Sequence, residues 1–558
     1  MNNTIFKVID ILKELIKDSI AKAIQLGDFK LDNIPEIILE VPKDENNGDF
    51  STNIAMQIPK QAKLPPKVIG ECIIRNMDKN NPLIEKVDMA GPGFINFYLK
   101  INWLYDVLEE IWDERESYGK IAYGIGKKVN VEFVSANPTG PMHMGNARGG
   151  AIGDSIASVL YWAGYSVTKE FYINDAGNQI EKFGQSLEAR YLELLGQDVT
   201  FPEDGYQGKD ITEHMKNFIT LHSDEYVNFY SAERKKILID YALKLNLSKI
   251  REDLKSYGIK YDVWFSESSL HCNDEVYKII EQLKSRGFAY EQEGAVWFKA
   301  TEFGCEKDDV LIRNNGIPTY FAADIAYHAN KLITREFDEA INVWGADHHG
   351  HIARLKGAMK ALGLDSKRLT VVIMQLVRLT RKGEVERMSK RTGKMVTLSD
   401  LMDEVGKDAA RFFFNLRSPE SHLDFDLDLA MEQSNENPVF YVQYAYARIC
   451  SILRQLDVEV SFSSVTLSLL KEKEELNLIR KLADFPQEII SAAEKLDPSK
   501  ITKYALDLAS GFHTFYNACR VKGEDTELMK SRILLIQCTK QVIKNVLDIL
   551  GIEAPERM

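Results

Sequence analysis

The stretch VNVEFVSANPTGPMHMGNARGGAIGDSIASVLYWAG, Val129 to Gly164, decides the fold. Its β-branched start, VNVEFV, reads as a buried strand. Two prolines and four glycines between Ser135 and Gly150 then break any regular pattern. Ile152, Ile156, Val159, Leu160 and Ala163 follow at helical spacing, and Gly164 supplies a C-terminal stop. The next run, SVTKEFYIN (166–174), is again a strand, which completes a βαβ unit. The loop lies against a helix N-terminus, where backbone N–H groups and the helix dipole favour phosphate. Alone, it reads equally well as an ordinary turn carrying a surface histidine. Pro141, His143 and Gly145 differ from a dinucleotide fingerprint by placing an imidazole where a third glycine would stand, which suits chemistry at phosphorus better than hydride transfer.

Downstream, EAINVWG (339–345), a helix carrying Ile352, Leu355, Met359 and Leu362 that stops at Gly363, and a long apolar strand LTVVIMQLV (369–377) continue the same pattern. Residues of about 185–310 are more polar and read as an insertion. Two βα crossovers around an insertion predict a doubly wound parallel sheet, with ligands beyond the carboxyl ends of its strands. The first ~110 residues mix a leading amphipathic helix with short strands such as EIILEV (36–41) and GFINFYL (93–99), an α+β unit. From Asn437 to the end only helical periodicity is convincing. A chain of 558 residues has room for three or four domains at roughly 150 residues each. The expected organisation is therefore multidomain α/β: 1–110, 120–375, a connecting helical piece at 376–436 and an all-α domain at 437–558.

A second chemical segment, RKGEVERMSKRTGKMVTL (Arg381–Leu398), follows the last strand of the sheet and precedes a helix whose Thr397 and Asp400 suit a capping box. By itself it reads as a solvated charge run. In a doubly wound sheet, however, it converges with the histidine loop on one crevice, and the two together could hold a polyphosphate. The net charge of -13 argues against a polyanionic partner only if it is evenly spread. It is not: Ser366–Arg391 carries eight basic residues against two acidic ones, a cationic site on an acidic body.

Six cysteines without a C-x-x-C pair predict neither a disulfide framework nor a zinc site. His348, His349 and His351 lack the spacing of a metal site, so no metal is expected there. No run of eighteen apolar residues occurs. The expectation is a cytoplasmic protein with no membrane partner.

Pro141–Asn146 (PMHMGN) resembles the "HIGH" signature of class I aminoacyl-tRNA synthetases, and Arg387–Arg391 (RMSKR) resembles their "KMSKS" loop. The surrounding text is more specific: EFYINDAGNQI (170–180), VWGADHHGHIARLKGAM (343–359), DAARFFFNLRSPESHLDFDLDLA (408–430) and NPVFYVQYAYARI (437–449) are similar to the bacterial arginyl-tRNA synthetase family. The likeness runs from GPGFINF (91–97) to the C-terminal helices. It implies a Rossmann-type catalytic sheet, an N-terminal domain that touches tRNA and an all-α anticodon-binding domain. The implied reaction activates L-arginine with ATP to the adenylate, releasing pyrophosphate, and passes arginine to the terminal adenosine of tRNA(Arg). Mg2+ accompanies ATP, no zinc is implied, and a monomer is expected.

The resemblance assigns roles residue by residue. His143, Gly145, Asn146 and Lys390 fall to the phosphoryl transfer, and Pro141, Gly345, Asp347, Arg387, Met388 and Ser389 to ATP. Glu132, Tyr320 and Asp324 line the arginine side-chain pocket, Ser135 and Asn137 hold its α-groups, and His348 faces the amino acid. Independently, a guanidinium calls for paired carboxylates, and Glu132 at a strand end and Asp324, one helical turn after Tyr320, are suitable. They read otherwise as structural ion-pair partners. Two residues depart from the family pattern: Asn146 stands where a second histidine is usual, and Arg387 where the first lysine of the basic loop is usual. They lend slight support to a catalytically silent tRNA-binding paralogue, against which the retained Lys390, His143, Glu132 and Asp324 speak. A ligase that adenylates a small acid without tRNA is a third reading, and the helical C-terminal domain speaks against it.

Overall fold

The computed structural model describes residues 3–42, 44–78, 80–386, 396–523 and 525–558. Five parallel strands form its central sheet: β1 (Lys128–Glu132), β2 (Ser166–Ile173), β3 (Val263–Ser266), β4 (Glu339–Gly345) and β5 (Leu369–Met374). Their spatial order is β5-β4-β1-β2-β3, so the winding reverses between β1 and β4 and leaves a crevice at their carboxyl ends. The helix that follows β1, Met144–Trp162, is buried along most of its length. Gly164 ends it at φ +92, and a Cβ there would stand 2.5 Å from the Ile121 carbonyl oxygen.

Three elements differ from the sequence reading. The expected long strand 369–377 is broken: β5 stops at Met374, and Val377–Arg381 joins a separate three-stranded sheet with Glu384–Val385 and Leu423–Asp426. The break is fixed by distant groups. Gln375 donates its N–H to the Pro419 carbonyl, and its own carbonyl accepts from Arg148 Nη1 at 2.6 Å. The segment of about 185–310 is not wholly an insertion either, because it returns β3 as the sheet's edge. EIILEV makes no strand; Glu40 alone bridges Ser51.

Between β2 and β3 lies a helical unit, Asn178–Leu194, Lys209–His222 and Ser231–Ser256, with a core of its own that includes Phe183, Tyr191, Met215, Phe218 and Leu238. The N-terminal unit packs the helix Thr4–Gln25 with a three-stranded antiparallel sheet in which Phe94–Leu99 is central. Among the described residues only helices follow Asn437, and the last, Thr526–Leu550, packs against Asn102–Glu114 and Met144–Trp162. Arg411, fully buried, ties these layers. It donates to the Leu550 carbonyl at 2.8 Å, the Tyr257 carbonyl at 3.2 Å and Asp154 Oδ2 at 2.6 Å. Among the described residues no helix is long and apolar enough to cross a membrane.

Candidate active site

At one end of the crevice, His143 is the N-cap of Met144–Trp162. Its Nδ1 accepts from the Gly145 N–H at 3.1 Å, and its own N–H donates to Asn146 Oδ1 at 3.0 Å. An imidazole that accepts through Nδ1 carries its proton on Nε2, where it can donate to an anionic oxygen. A Cβ at position 145 would lie 2.9 Å from His143 Cε1, so only glycine lets the ring fold over this turn. Asn146 therefore serves its own helix end, a role the sequence reading did not foresee. Met144 N–H donates to the Val396 carbonyl and Leu398 N–H to the Met142 carbonyl. The chain leaving the basic segment is thus stitched to the histidine loop, and the expected Thr397–Asp400 capping box is present immediately after it. Arg387, Met388, Ser389 and Lys390 themselves lie outside the described residues. Pro141 is exposed; Gly345 closes β4, and Asp347 just beyond it is exposed and 3.5 Å from His348 Nε2.

At the other end of the crevice, Asp324 sits on the helix Tyr320–Ala329. Its Oδ2 accepts from His351 Nε2 at 2.8 Å. Arg354 Nε donates to His351 Nδ1 at 2.7 Å, and because arginine only donates, Arg354 sets the tautomer that presents Nε2–H to Asp324. His348 lies against Asp347 and the Trp344 ring, and His351 is the member of the run that reaches Asp324.

Glu132, at the end of β1, is buried. Its Oε1 accepts from Ser135 Oγ at 3.0 Å and its Oε2 from the fully buried Lys331 Nζ at 2.6 Å. A donor chain runs from the Glu132 carboxylate to the main chain of Asp324. Lys331 also donates to Asn342 Oδ1, Asn342 Nδ2 donates to His328 Nε2, and His328 Nδ1–H donates to the Asp324 carbonyl. Burial holds His328 well below its ordinary range, which fits a ring that accepts on one nitrogen.

Two further carboxylates were not singled out from sequence. Glu267, buried at the first turn after β3, shares a hydrogen bond with Tyr172, and Asp175 binds Ser266 and Ser268. Burial pushes Glu267 up to about 7, with the neighbouring charges of Asp324 and Asp175 adding to the rise and Tyr172 opposing it. Glu132, Glu267 and Asp324 all act on the buried Tyr172 hydroxyl. Only Asp175 carried a signal in the sequence, its place directly after the readable strand 166–174. Tyr320 lies beside this group, and its hydroxyl accepts from Gln179 N–H at 3.4 Å, while Gln179 Oε1 accepts from Asn137 Nδ2 at 2.7 Å. Lys331 balances Glu132, and Asp324 faces a histidine N–H, so the pocket keeps an excess of negative charge. Among the described residues no group of His, Cys, Asp and Glu is arranged to hold a metal ion.

Family models match along the chain: "Arginyl tRNA synthetase N terminal domain" at residues 10–99, "tRNA synthetases class I (R), catalytic domain" at 108–419 and "DALR anticodon binding domain" at 442–558. The chain belongs to the arginyl-tRNA synthetase family. It is 58% identical over 562 residues to the arginine–tRNA ligase of Caldanaerobacter subterraneus subsp. tengcongensis, covering 100% of both chains. The corresponding ligase of Acetivibrio thermocellus is 57% identical over 564 residues, again with complete coverage. A solved structure titled a putative arginyl-tRNA synthetase from Campylobacter jejuni matches with a TM-score of 0.76 at 34% identity, covering 82% of this chain and 100% of that one. Arginyl-tRNA synthetase of Thermus thermophilus shares the fold, with a TM-score of 0.78 at 22% identity over 98% of this chain and 100% of that one. This synthetase is an arginine–tRNA ligase whose substrates are arginine, ATP and tRNA.

Proposed function

We propose that the pocket built from Asp324, Glu267, Tyr172 and Tyr320 takes the guanidinium of arginine, with Glu132 and Ser135 at its wall and Asn137 holding the α-groups. The observation that carries this is the excess of carboxylates that Glu267, after β3, and Asp324, on the helix Tyr320–Ala329, bring to the crevice, where a planar cation is the natural complement. The arginine carboxylate then attacks the α-phosphorus of ATP in line, and pyrophosphate leaves. His143 Nε2–H, the Gly145 backbone and Lys390 meet the charge that develops on the phosphoryl oxygens, while Pro141, Gly345, Asp347, Arg387, Met388 and Ser389 hold the nucleotide. Mg2+ enters as the counter-ion of ATP. A ribose hydroxyl of the tRNA's terminal adenosine takes arginine from the adenylate.

In the C-terminal domain we assign anticodon contact to the cluster of Tyr444, Arg448 and Tyr516. The Arg448 guanidinium lies 4.5 Å from the Tyr516 ring centroid and donates to the Tyr444 hydroxyl at 3.0 Å, and all three are partly exposed, a ready stack for a splayed base. The enzyme works as a cytoplasmic monomer. The test of the arginine pocket is charging of tRNA with arginine against lysine, beside pyrophosphate exchange with and without tRNA. Charging with arginine alone is expected; equal charging with lysine would refute the guanidinium pocket.

A further inference from the structure

The helical unit between β2 and β3 is more than an appendage. Three of its helices each reach the loop that joins β1 to His143. Gln179, on the first, accepts from Asn137 Nδ2 at 2.7 Å. Asp210, on the second, lies beside Gly140, where a Cβ would be 3.7 Å from its Oδ2. Asn246, on the third, donates from Nδ2 to the Pro138 carbonyl at 2.8 Å. A carbonyl only accepts, so this bond fixes the amide's orientation and turns Oδ1 toward His214, whose Nε2 donates to it at 2.7 Å. Asn246 is buried and both ends of its amide are engaged, whereas Asn137, one residue before the pinned carbonyl, is exposed. The same loop begins with two successive non-glycine residues at positive φ, Val134 at 68 and Ser135 at 41. Such a conformation persists only where its surroundings hold it.

We infer that Asn246 is a positioning residue that, supported by His214, holds Asn137 in place for the α-groups of arginine. This rests on the reading of Asn137 as an arginine contact. The phosphate side of the loop is held independently, by the His143 capping box and by the pairing of Met142 and Met144 with Val396 and Leu398. Releasing Pro138 therefore disturbs the arginine end and spares the ATP end. A merely structural role would lower thermal stability and the active fraction without separating the two substrates.

The test is pyrophosphate exchange, with tRNA present, on the full-length enzyme carrying Asn246→Ala, His214→Ala, His214→Gln, Asn137→Ala, and Asn246→Ala combined with Asn137→Ala, with a thermal melt of each. Asn246→Ala is expected to raise the KM for arginine about tenfold and to leave that for ATP within about twofold. His214→Ala should move in the same direction, and His214→Gln, which retains a donor, should restore the wild-type value. In the Asn137→Ala background Asn246→Ala should add nothing. An arginine KM raised by Asn137→Ala but unchanged by both Asn246→Ala and His214→Ala overturns the clamp. A wild-type KM in Asn137→Ala overturns the underlying reading of Asn137 and the clamp with it. Full additivity in the double variant, or equal rises in both KM values, also overturns the inference.

Discussion

Lys331 Nζ meets Glu132 Oε2 at 2.6 Å, with the lysine fully buried and the glutamate nearly so. The strand-end carboxylate that the sequence offers to a substrate cation thus already has a cation of its own. Removing one partner of such a pair leaves the other charged and desolvated. Glu132→Gln is expected to cost about 3–5 kcal/mol in urea unfolding, with much of the loss recovered when Lys331→Met is added. An unfolding midpoint unmoved by Glu132→Gln would mean that Asn342 and the Tyr327 ring, 4.2 Å from Nζ, suffice for the lysine.

Glu267 gives the pocket a pH dependence. Its carboxyl is raised to about 7, so without arginine it is largely protonated below that pH. A bound guanidinium favours the ionised form; binding should release protons and tighten as pH rises, by up to about tenfold between pH 6 and pH 8. For the free fold the sign is opposite. A carboxyl raised in the folded state contributes stability that is full below its ordinary 4.5 and lost as pH rises through about 7. Calorimetric titration with arginine in buffers of different ionisation enthalpy reads the proton count. Glu267→Gln should flatten the profile, and an unchanged slope would remove Glu267 from the pocket.

The two ends of the crevice separate kinetically. Asp324→Asn removes a charged partner of the substrate side chain and should raise the arginine KM by roughly 10–100-fold, with a smaller effect on kcat. Lys390→Ala should do the reverse, lowering kcat for adenylate formation while the arginine dissociation constant stays constant. Normal tRNA charging by both variants would contradict the assignment.

Much of this was legible because the chemistry lies at punctuated junctions. Proline and glycine bracket His143, and the 3.6-residue repeat after it fixes the helix and hence the N-cap. What was not legible depends on meetings of distant segments. Val263–Ser266 is only four residues long and partly exposed, too little pattern to mark as the fifth strand. The break after Met374 follows from Arg148, 227 residues away, capturing the Gln375 carbonyl, which an apolar run cannot encode. Tyr172, Glu267 and Asp324 become one pocket only when β2, β3 and the Tyr320–Ala329 helix are laid side by side. That His351, three residues after His348, is the one to reach Asp324 turns on where the helix His349–Ala361 begins, and helix starts are poorly readable in a sequence.

Asn146 is the residue whose reading the structure changes most. It stands where a second histidine is usual in the family, and its Oδ1 accepts the His143 N–H and completes a reciprocal cap. Its side chain thus acts on the His143 imidazole by fixing the backbone that carries it. Asn146→Ala should cost about 0.5–2 kcal/mol of stability, as loss of a capping side chain does. It should also lower kcat for pyrophosphate exchange, because the His143 backbone N–H loses its acceptor. Asn146→His presents a ring nitrogen that can accept the same N–H and a second that can donate to phosphate, so its activity should equal or exceed that of the wild type. Activity of Asn146→His as low as that of Asn146→Ala would mean that the imidazole cannot enter this turn beside His143, and that the asparagine is chosen for its size.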